Sequence, residues 1–257
     1  MFRRIYFILV FFPTFTRCYC PPNYVRFSED VCMIQLNETT EFCEASSFCS
    51  NYGKKHNQLV FLHGRNVNFL KPILPHRPWA WNGMHVLLGI PESHSVAGWH
   101  DMDPRSPEFT SGPDSFKWGE NQPNGNEPHL IYHKKDDAMY DVYSRPYDFA
   151  HAVHCEYGGE LPKDNLNVLF KADFPKKFNN IVQPRPDFLG CPLTLEAATK
   201  MDCARRCALD PACRSIYFNN KEKKCIHMLY ADSLLPQTIT TSPEGWSRFA
   251  KTARGIP

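Results

Sequence analysis

The fold of the first two-thirds of the chain is decided by the stretch Phe116-Lys-Trp-Gly-Glu-Asn-Gln-Pro-Asn-Gly-Asn-Glu127. It places the side-chain oxygens of Gln122, Asn124 and Glu127 around a proline that restricts the backbone, behind the aromatic anchor Trp118. Carboxylate and amide oxygens are the ligands that calcium takes in proteins. The stretch therefore predicts a loop that holds a hard cation. The alternative is a polar surface loop over a packed tryptophan.

Motifs on both sides of this stretch occur in the order typical of one family. Upstream lie the helix pattern Glu44-Ala-x-x-x-Cys49-x-x-x-Gly53 and the strand Leu87-Leu-Gly-Ile90, and downstream lies the pair Cys155-Glu156. The region from Cys20 to Tyr157 thus resembles the C-type lectin-like domain. The resemblance implies an α+β fold with two helices, antiparallel sheets and a long irregular loop, here residues 91–128.

The resemblance also implies a calcium-dependent binding site in this loop. Four of the five expected ligand positions keep an oxygen donor, namely Gln122, Asn124, Glu127 and Asp141. Tyr140 replaces the fifth ligand, an asparagine, and a phenol is a poor neutral ligand for calcium. Because calcium affinity depends on ligand charge and count, the sequence predicts a weak site or none.

Two positions depart from the family pattern together. The inner disulfide of the family would lie at His129 and Ser144, and neither residue is a cysteine. The loop therefore lacks a covalent staple, and a looser loop loses more conformational entropy when it binds a ligand. Trp79, Trp81 and Trp99 have faces suited to sugar rings, although anchoring in the core or loop is the interpretation we favour.

The first helix is predicted from its apolar face. Phe42, Ala45 and Cys49 fall at helical spacing, and Gly53 is a typical residue just beyond a helix end. Thr39 or Thr40 offers an N-cap hydroxyl, so the helix is expected to run to about Tyr52. Strands are expected at 58–62, 86–90, 130–132 and 152–155, and a second short helix at 67–74.

Composition and the N-terminus indicate a secreted protein. The 257 residues fit one or two domains, and a net charge of +2 argues against a nucleic-acid binder. In segment 1–18 two arginines precede an apolar run too short to span a bilayer, so we predict a signal peptide cleaved after Cys18, with an uncleaved anchor as the alternative. The mature chain is expected to have no membrane span. Asn37-Glu-Thr39 is a glycosylation sequon or a chance occurrence.

Because the protein is predicted to be secreted, its eleven cysteines are expected to form disulfides. Ten of them remain if Cys18 is removed with the signal peptide. The lectin-like resemblance implies the pairs Cys20–Cys32 and Cys49–Cys155. The second pair closes about a hundred residues, which the chain-entropy model values at roughly 4–5 kcal/mol.

The last 67 residues, from Cys191, are dense in cysteine and indicate a small stapled module. Thr199-x-x-Asp202 resembles a capping box, and Cys203-x-x-x-Cys207 puts both sulfurs on one helical face. Two strands, 215–218 and 225–229, follow as a hairpin. This order resembles the PAN or apple module.

The PAN resemblance implies the pairs Cys203–Cys225 and Cys207–Cys213. A zinc site is the chemical alternative, but the gaps of three and five residues and the oxidising compartment argue against it. Cys43 and Cys191 remain, either bridged to each other across the two domains or as thiols. The predicted segments are a signal peptide 1–18, a lectin-like domain 19–157, a linker 158–188 and a PAN/apple-like domain 189–257.

The sequence contains no catalytic frame that we can identify. His151-x-x-His154 lacks the glutamate and the spacing of a zinc protease, and there is neither a Gly-x-Ser-x-Gly elbow nor a phosphate loop. We therefore expect a non-enzymatic protein that binds a glycan or an extracellular protein, with a secreted hydrolase as the weakest alternative. The leading hypothesis is carbohydrate binding through the loop with calcium. The alternative is calcium-independent protein binding, with the PAN/apple-like module as a second contact surface.

Overall fold

The computed structural model describes residues 20–74, 78–89, 95–145, 150–161 and 168–254. The predicted signal peptide 1–18 and its cleavage after Cys18 lie outside the described residues, as do Ile90 and residues 91–94 of the predicted long loop. No helix of the described residues is both long enough and apolar enough to cross a membrane.

The first module is an eight-stranded sheet packed against one long helix. The strands run in the order β1-β2-β8-β4-β6-β7, with β3 beside β8 and β5 beside β4. The elements are β1 Val25–Arg26, β2 Cys32–Thr39, α1 Phe42–His56, β3 Gln58–Leu62, β4 Trp79–His85, β5 His100–Asp101, β6 His129–His133, β7 Ala138–Val142 and β8 His151–Glu160. The pairs are antiparallel except for a single parallel contact between β4 and β8.

Helix α1 buries the predicted face but has different ends. Phe42, Ala45 and Cys49 are fully buried. The N-cap residue is Glu41 rather than a threonine, because Thr39 closes β2 and its hydroxyl donates to the Glu44 carboxylate. The helix continues past Gly53 to His56, since glycine leaves room for the backbone of β3 to pack closely there.

Two other predicted elements of the first module are altered. The strand expected at 86–90 is replaced by β4, Trp79–His85, and the buried residues Val86 to Leu88 follow it without strand pairing. Burial of an apolar run does not require a ladder, so the apolar pattern alone misplaced the strand. The second helix is a single 3-10 turn at Val67–Phe69.

The second module is a five-stranded sheet with a short helix on one face. Its order is β11-β13-β12-β15-β9, and β10 pairs with β14 in a separate parallel ribbon. The elements are β9 Val168–Lys171, β10 Val182–Gln183, β11 Cys191–Glu196, α2 Lys200–Leu209, β12 Cys213–Asn219, β13 Lys224–Leu229, β14 Leu235–Pro236 and β15 Trp246–Arg254. As predicted, the Thr199 hydroxyl accepts the Asp202 N–H, at 3.1 Å, and the α+β fold class is confirmed.

Five disulfides staple the two modules. They join Cys20 to Cys32, Cys49 to Cys155, Cys203 to Cys225, Cys207 to Cys213 and Cys43 to Cys191. The last of these ties α1 of the first module to β11 of the second. Among the described residues, the group that could collect three metal ligands is Cys203, Cys225 and His227. Because those two sulfurs are bonded to each other, they are not available as zinc thiolates.

The segment predicted as a linker, residues 158–188, is built into both modules. Strand β8 extends to Glu160, and β9 pairs with β15 at the edge of the second sheet. Phe188 is fully buried in a core cluster of the first module, together with Trp99 and Phe116. The described parts of this segment, residues 158–161 and 168–188, are therefore packed rather than extended.

Candidate functional site

The candidate site is a loop, residues 119–127, that begins beside β7. The Gly119 N–H donates to the Met139 carbonyl at 2.9 Å, and the Gln122 N–H donates back to Gly119 at 3.1 Å. A side chain at Gly119 would collide with the ring of Tyr140, so only glycine fits there. The Gln122–Pro123 peptide bond is cis.

Asp141 on β7 organises the middle of the loop. Its Oδ1 accepts the Asn124 N–H and its Oδ2 accepts the Gly125 N–H, each at 3.0 Å. The carboxylate is buried, at 2% exposure, and hydrogen bonds from N–H groups stabilise the ionised form of such a group. Gly125 has φ +85°, a conformation that favours glycine.

Asn124 connects the two carboxylates of the site. While its backbone contacts Asp141, its side-chain amide donates to Glu127 Oε2 at 3.0 Å. Burial raises the pKa of Glu127, and the charge of Asp141 adds to this rise, whereas the Asn124 hydrogen bond opposes it. Two carboxylates that repel each other in a half-buried loop favour any cation placed between them.

Gln122 contributes a buried acceptor to the same loop. Its Oε1 has no hydrogen-bond partner among the described residues, and the same holds for the indole N–H of Trp118. An unsatisfied buried polar group costs about 1–3 kcal/mol, so these two atoms favour a polar ligand or an ion beside the loop. The four predicted residues thus supply amide and carboxylate oxygens of the type that calcium takes, with a formal charge of only −2.

Tyr140 points away from this group. Adjacent residues of a strand face opposite sides, so Tyr140 on β7 is turned from the side occupied by Asp141. Its hydroxyl donates to Asp136 Oδ2 at 2.6 Å, and its ring lies 5.3 Å from that of Trp79. The position that would hold a ligand asparagine is therefore used for aromatic packing.

The tryptophans of the loop region act as anchors. Trp99 is 1% exposed, and its indole N–H donates to the Ser95 carbonyl at 3.2 Å. The rings of Trp99 and Trp118 lie 5.5 Å apart, and Trp118 packs against the same core cluster. Trp81 is fully buried. Neither Trp81 nor Trp99 presents a face to a sugar ring, which agrees with the interpretation favoured from the sequence.

The two positions that lack the inner disulfide are linked through Phe42 instead. The His129 ring stacks on the Phe42 ring with a centroid separation of 3.9 Å, and burial lowers the pKa of His129 to about 3. The Ser144 carbonyl accepts the Phe42 N–H at 3.0 Å, at the start of α1. The next residue, Cys43, carries the bridge to the second module. Noncovalent contacts thus join the segments that the disulfide would have joined.

A second group of carboxylates was not foreseen from the sequence. We define the ionic network as Arg65, Asp101, Asp103, Arg105 and Glu156. Its ion pairs have N–O distances of 2.6 to 3.5 Å, and its three carboxylates are 1–2% exposed. The alternation Asp101-x-Asp103-x-Arg105 is the only local sequence signal for it, because the other two members are distant in the chain.

Burial dominates the electrostatics of the network. It raises the pKa of Asp101 to about 6 and that of Glu156 to about 7, although Arg65 and Arg105 respectively oppose the rise. The two histidines of β8 are also buried, and burial lowers the pKa of His154 to about 3. These groups lie inside the first module and join β8 to the segment after β5.

Comparisons with known proteins found one family model and several similar solved structures. Residues 192–251 match the family model of the PAN domain. Among solved structures, the carbohydrate-recognition domain of the human scavenger receptor C-type lectin is 19% identical over 54% of this chain and 98% of that chain, with a TM-score of 0.37.

Two further solved structures resemble the same part of the chain. The C-type lectin CEL-I from Cucumaria echinata is 18% identical over 55% of this chain and 99% of its own, with a TM-score of 0.39. Human lithostathine is 14% identical over 58% and 97%, with a TM-score of 0.40. No curated protein matches the sequence. The PAN family model thus matches the part of the chain in which the sequence predicted a PAN/apple-like module, and C-type lectins are among the solved structures that the chain resembles.

Proposed function

We propose that this chain is a secreted, non-enzymatic recognition protein that binds carbohydrate through the 119–127 loop with a weakly held calcium ion. The observation that carries the proposal is the convergence of Glu127 and Asp141 on Asn124. A divalent cation near these oxygens would offset the repulsion that helps to raise the pKa of Glu127. The ion would also offer a partner to the buried Gln122 Oε1.

The expected calcium affinity is low. Two carboxylates and two amides supply little negative charge, and both oxygens of Asp141 already accept backbone N–H groups. A sugar whose hydroxyl groups complete the coordination of the ion would therefore strengthen calcium binding. The triplet Gln122-Pro-Asn124 combines features of galactose-type and mannose-type loops, so the sugar remains unassigned.

The melting temperature of the oxidised protein, measured in calcium and in EDTA, tests the cation. Calcium at 100 times its Kd stabilises the folded state by about 2.7 kcal/mol, and each kcal/mol corresponds to about 2–4 °C for a chain of this size. We expect a rise that Glu127→Gln abolishes. Glu120→Gln is the matched control, because Glu120 is an exposed carboxylate of the same loop. Equal melting temperatures in millimolar calcium and EDTA would refute the cation site.

Glycan-array binding with and without EDTA tests the ligand. Binding that requires calcium and is lost in Glu127→Gln supports the proposed function. The second candidate is calcium-independent protein binding. It is favoured by Tyr140, which occupies the position of a ligand asparagine but donates to Asp136 and packs beside Trp79. Binding to an extracellular protein that EDTA leaves unchanged would replace the first proposal with the second.

Secretion and glycosylation are part of the same proposal. Asn37 is exposed on β2, so its side-chain amide is accessible for glycosylation. Five disulfides also require an oxidising compartment for folding. Expression through the secretory route should release the chain into the medium with a glycan that a glycosidase removes. Asn37→Gln should remove the same mass, and an unchanged mass would exclude this acceptor.

A further inference from the structure

A side chain outside the first module reaches the 119–127 loop. The guanidinium Nη2 of Arg185 donates to the Asn126 carbonyl at 3.1 Å, across 59 residues of sequence. Asn126 lies between Asn124 and Glu127, and its own N–H donates to Asn124 Oδ1 at 3.2 Å. Arg185 therefore contacts the loop at the turn that separates two of the predicted ligands.

Arg185 is itself held by the core of the first module. Its guanidinium carbon lies 4.4 Å from the centroid of the Phe188 ring, within the range of a cation–π contact. The Phe188 N–H also donates to the Arg185 carbonyl at 3.2 Å. Because Phe188 is fully buried, its ring offers a fixed surface that orients the guanidinium.

The segment that carries Arg185, residues 183–190, is fixed at both ends; we call it the brace. At its start the Gln183 amide donates to the Leu87 carbonyl at 3.4 Å, and its Oε1 accepts the Arg185 N–H at 3.2 Å. At its end follows Cys191, bonded to Cys43 on α1. A donor on a segment tied at both ends loses little conformational entropy when it makes its contact.

We propose that Arg185 is a positioning residue and that the brace holds the 119–127 loop in the shape that keeps Asn124 and Gly125 on Asp141. The brace contacts the loop at Asn126 and so adds to the contacts through Phe42 that connect His129 with Ser144. This role rests on the proposed function insofar as the loop binds a ligand, whereas the positioning of the loop is independent of any ligand.

Hydrogen exchange of the full-length oxidised protein in EDTA tests the brace directly. The amides of Asn124 and Gly125 donate to Asp141, so their exchange reports local opening of the loop. In Arg185→Ala we expect hydrogen exchange of the peptide that covers 119–127 to become about tenfold faster. A tenfold change corresponds to about 1.4 kcal/mol, which is the size of one lost hydrogen bond. Arg185→Lys, which keeps a charged donor, should restore most of the protection.

Arg205→Ala is the matched control, since Arg205 is an exposed arginine on α2. It should leave exchange of the loop unchanged. The proposal would be overturned if the loop of Arg185→Ala exchanged as slowly as that of the wild type. It would also be overturned if exchange became faster by the same factor in both modules.

A calcium titration of the same variants separates the two proposals. If wild type shows the calcium-dependent rise in melting temperature, Arg185→Ala should need about tenfold more calcium for the same rise, and an unchanged calcium requirement would count against the brace. If wild type shows no rise, the cation proposal fails, and the exchange experiment alone then decides the role of Arg185.

Discussion

Two groups of carboxylates in the first module are stabilised in different ways. In the ionic network, Arg65 and Arg105 bring positive charge to the carboxylates at N–O distances of 2.6 to 3.5 Å. In the 119–127 loop, the contacts to Glu127 and Asp141 described above come from neutral N–H groups. The chain thus supplies cations to the network from its own side chains. We propose that the loop instead receives its cation from outside the chain.

From this contrast we expect the ionic network to contribute mainly to stability and the 119–127 loop mainly to recognition. Removing one member of a buried ion pair leaves the other charge uncompensated, which is far more costly than changing an exposed charge. Changing a carboxylate of the loop should mainly alter the response to calcium. Four measurements test this distinction.

The largest effect is expected in the network. Arg105→Met removes the guanidinium that pairs with Asp103 and Glu156 at 2.8 and 2.9 Å. Because both carboxylates are buried, we expect the free energy of unfolding to fall by about 3 kcal/mol, measured by urea denaturation at pH 7. Arg205→Met on α2 serves as the control and should change it by less than about 0.5 kcal/mol. Equal midpoints for the two variants would refute the structural role of the network.

The second effect is the dependence of stability on pH. Burial raises the pKa of Glu156 from its ordinary value of 4.5 to about 7, so the folded state favours the neutral form. Its stabilising contribution is therefore complete below pH 4.5 and is lost as the pH rises to about 7, a change of about 3 kcal/mol. Glu156→Gln should flatten this decline in urea titrations at a series of pH values. An unchanged slope would show that Glu156 titrates normally.

A smaller effect is expected from the centre of the loop. In Asp141→Asn one acceptor oxygen becomes an NH2 group, so either Asn124 or Gly125 loses the acceptor of its N–H. We expect a loss of about 1–2 kcal/mol in EDTA and no calcium-dependent rise in melting temperature. The Glu120→Gln control should keep both properties. A retained calcium response in Asp141→Asn would place the ion elsewhere.

The smallest effect concerns the pH dependence of the calcium response. The raised pKa of Glu127 means that protons compete for this carboxylate at a higher pH than for an ordinary glutamate. The calcium-dependent rise in melting temperature should therefore shrink as the pH falls towards that pKa, opposite in sign to the trend of the network. A calcium response that stays constant in size as the pH falls from 7 to 4.5, the ordinary pKa of glutamate, would exclude Glu127 as a ligand.

The sequence predicted much of this arrangement because local patterns carry it. Helical spacing located the buried face of α1, and Thr199 with Asp202 located the start of α2. The oxygen-bearing residues of the loop were also recognisable, since the loop and β7 lie close together in the chain. The apolar pattern predicted a strand wrongly at Val86 to Leu88, because these residues are buried without strand pairing.

Contacts between segments that are distant in the chain could not be predicted from the sequence. The network joins Arg65 to Asp103 and Arg105 to Glu156, residues whose spacing has no helical or strand period. Likewise, nothing in the sequence indicated that His129 would stack on Phe42 in place of a disulfide. Such pairs form because the sheet brings their strands together, and each pair depends on the packing of many other residues.

By itself, the sequence determined the two modules, the cysteines available to staple them and the oxygen donors of the candidate loop, since each is a local pattern of residue types. Only the tertiary structure decided that Tyr140 packs beside Trp79 and that Phe188 fills the core of the first module. It also decided that Arg185 of the presumed linker contacts Asn126. The physical reason is that burial and contact across 59 residues depend on how the whole chain packs, whereas composition and spacing report only on neighbours in sequence.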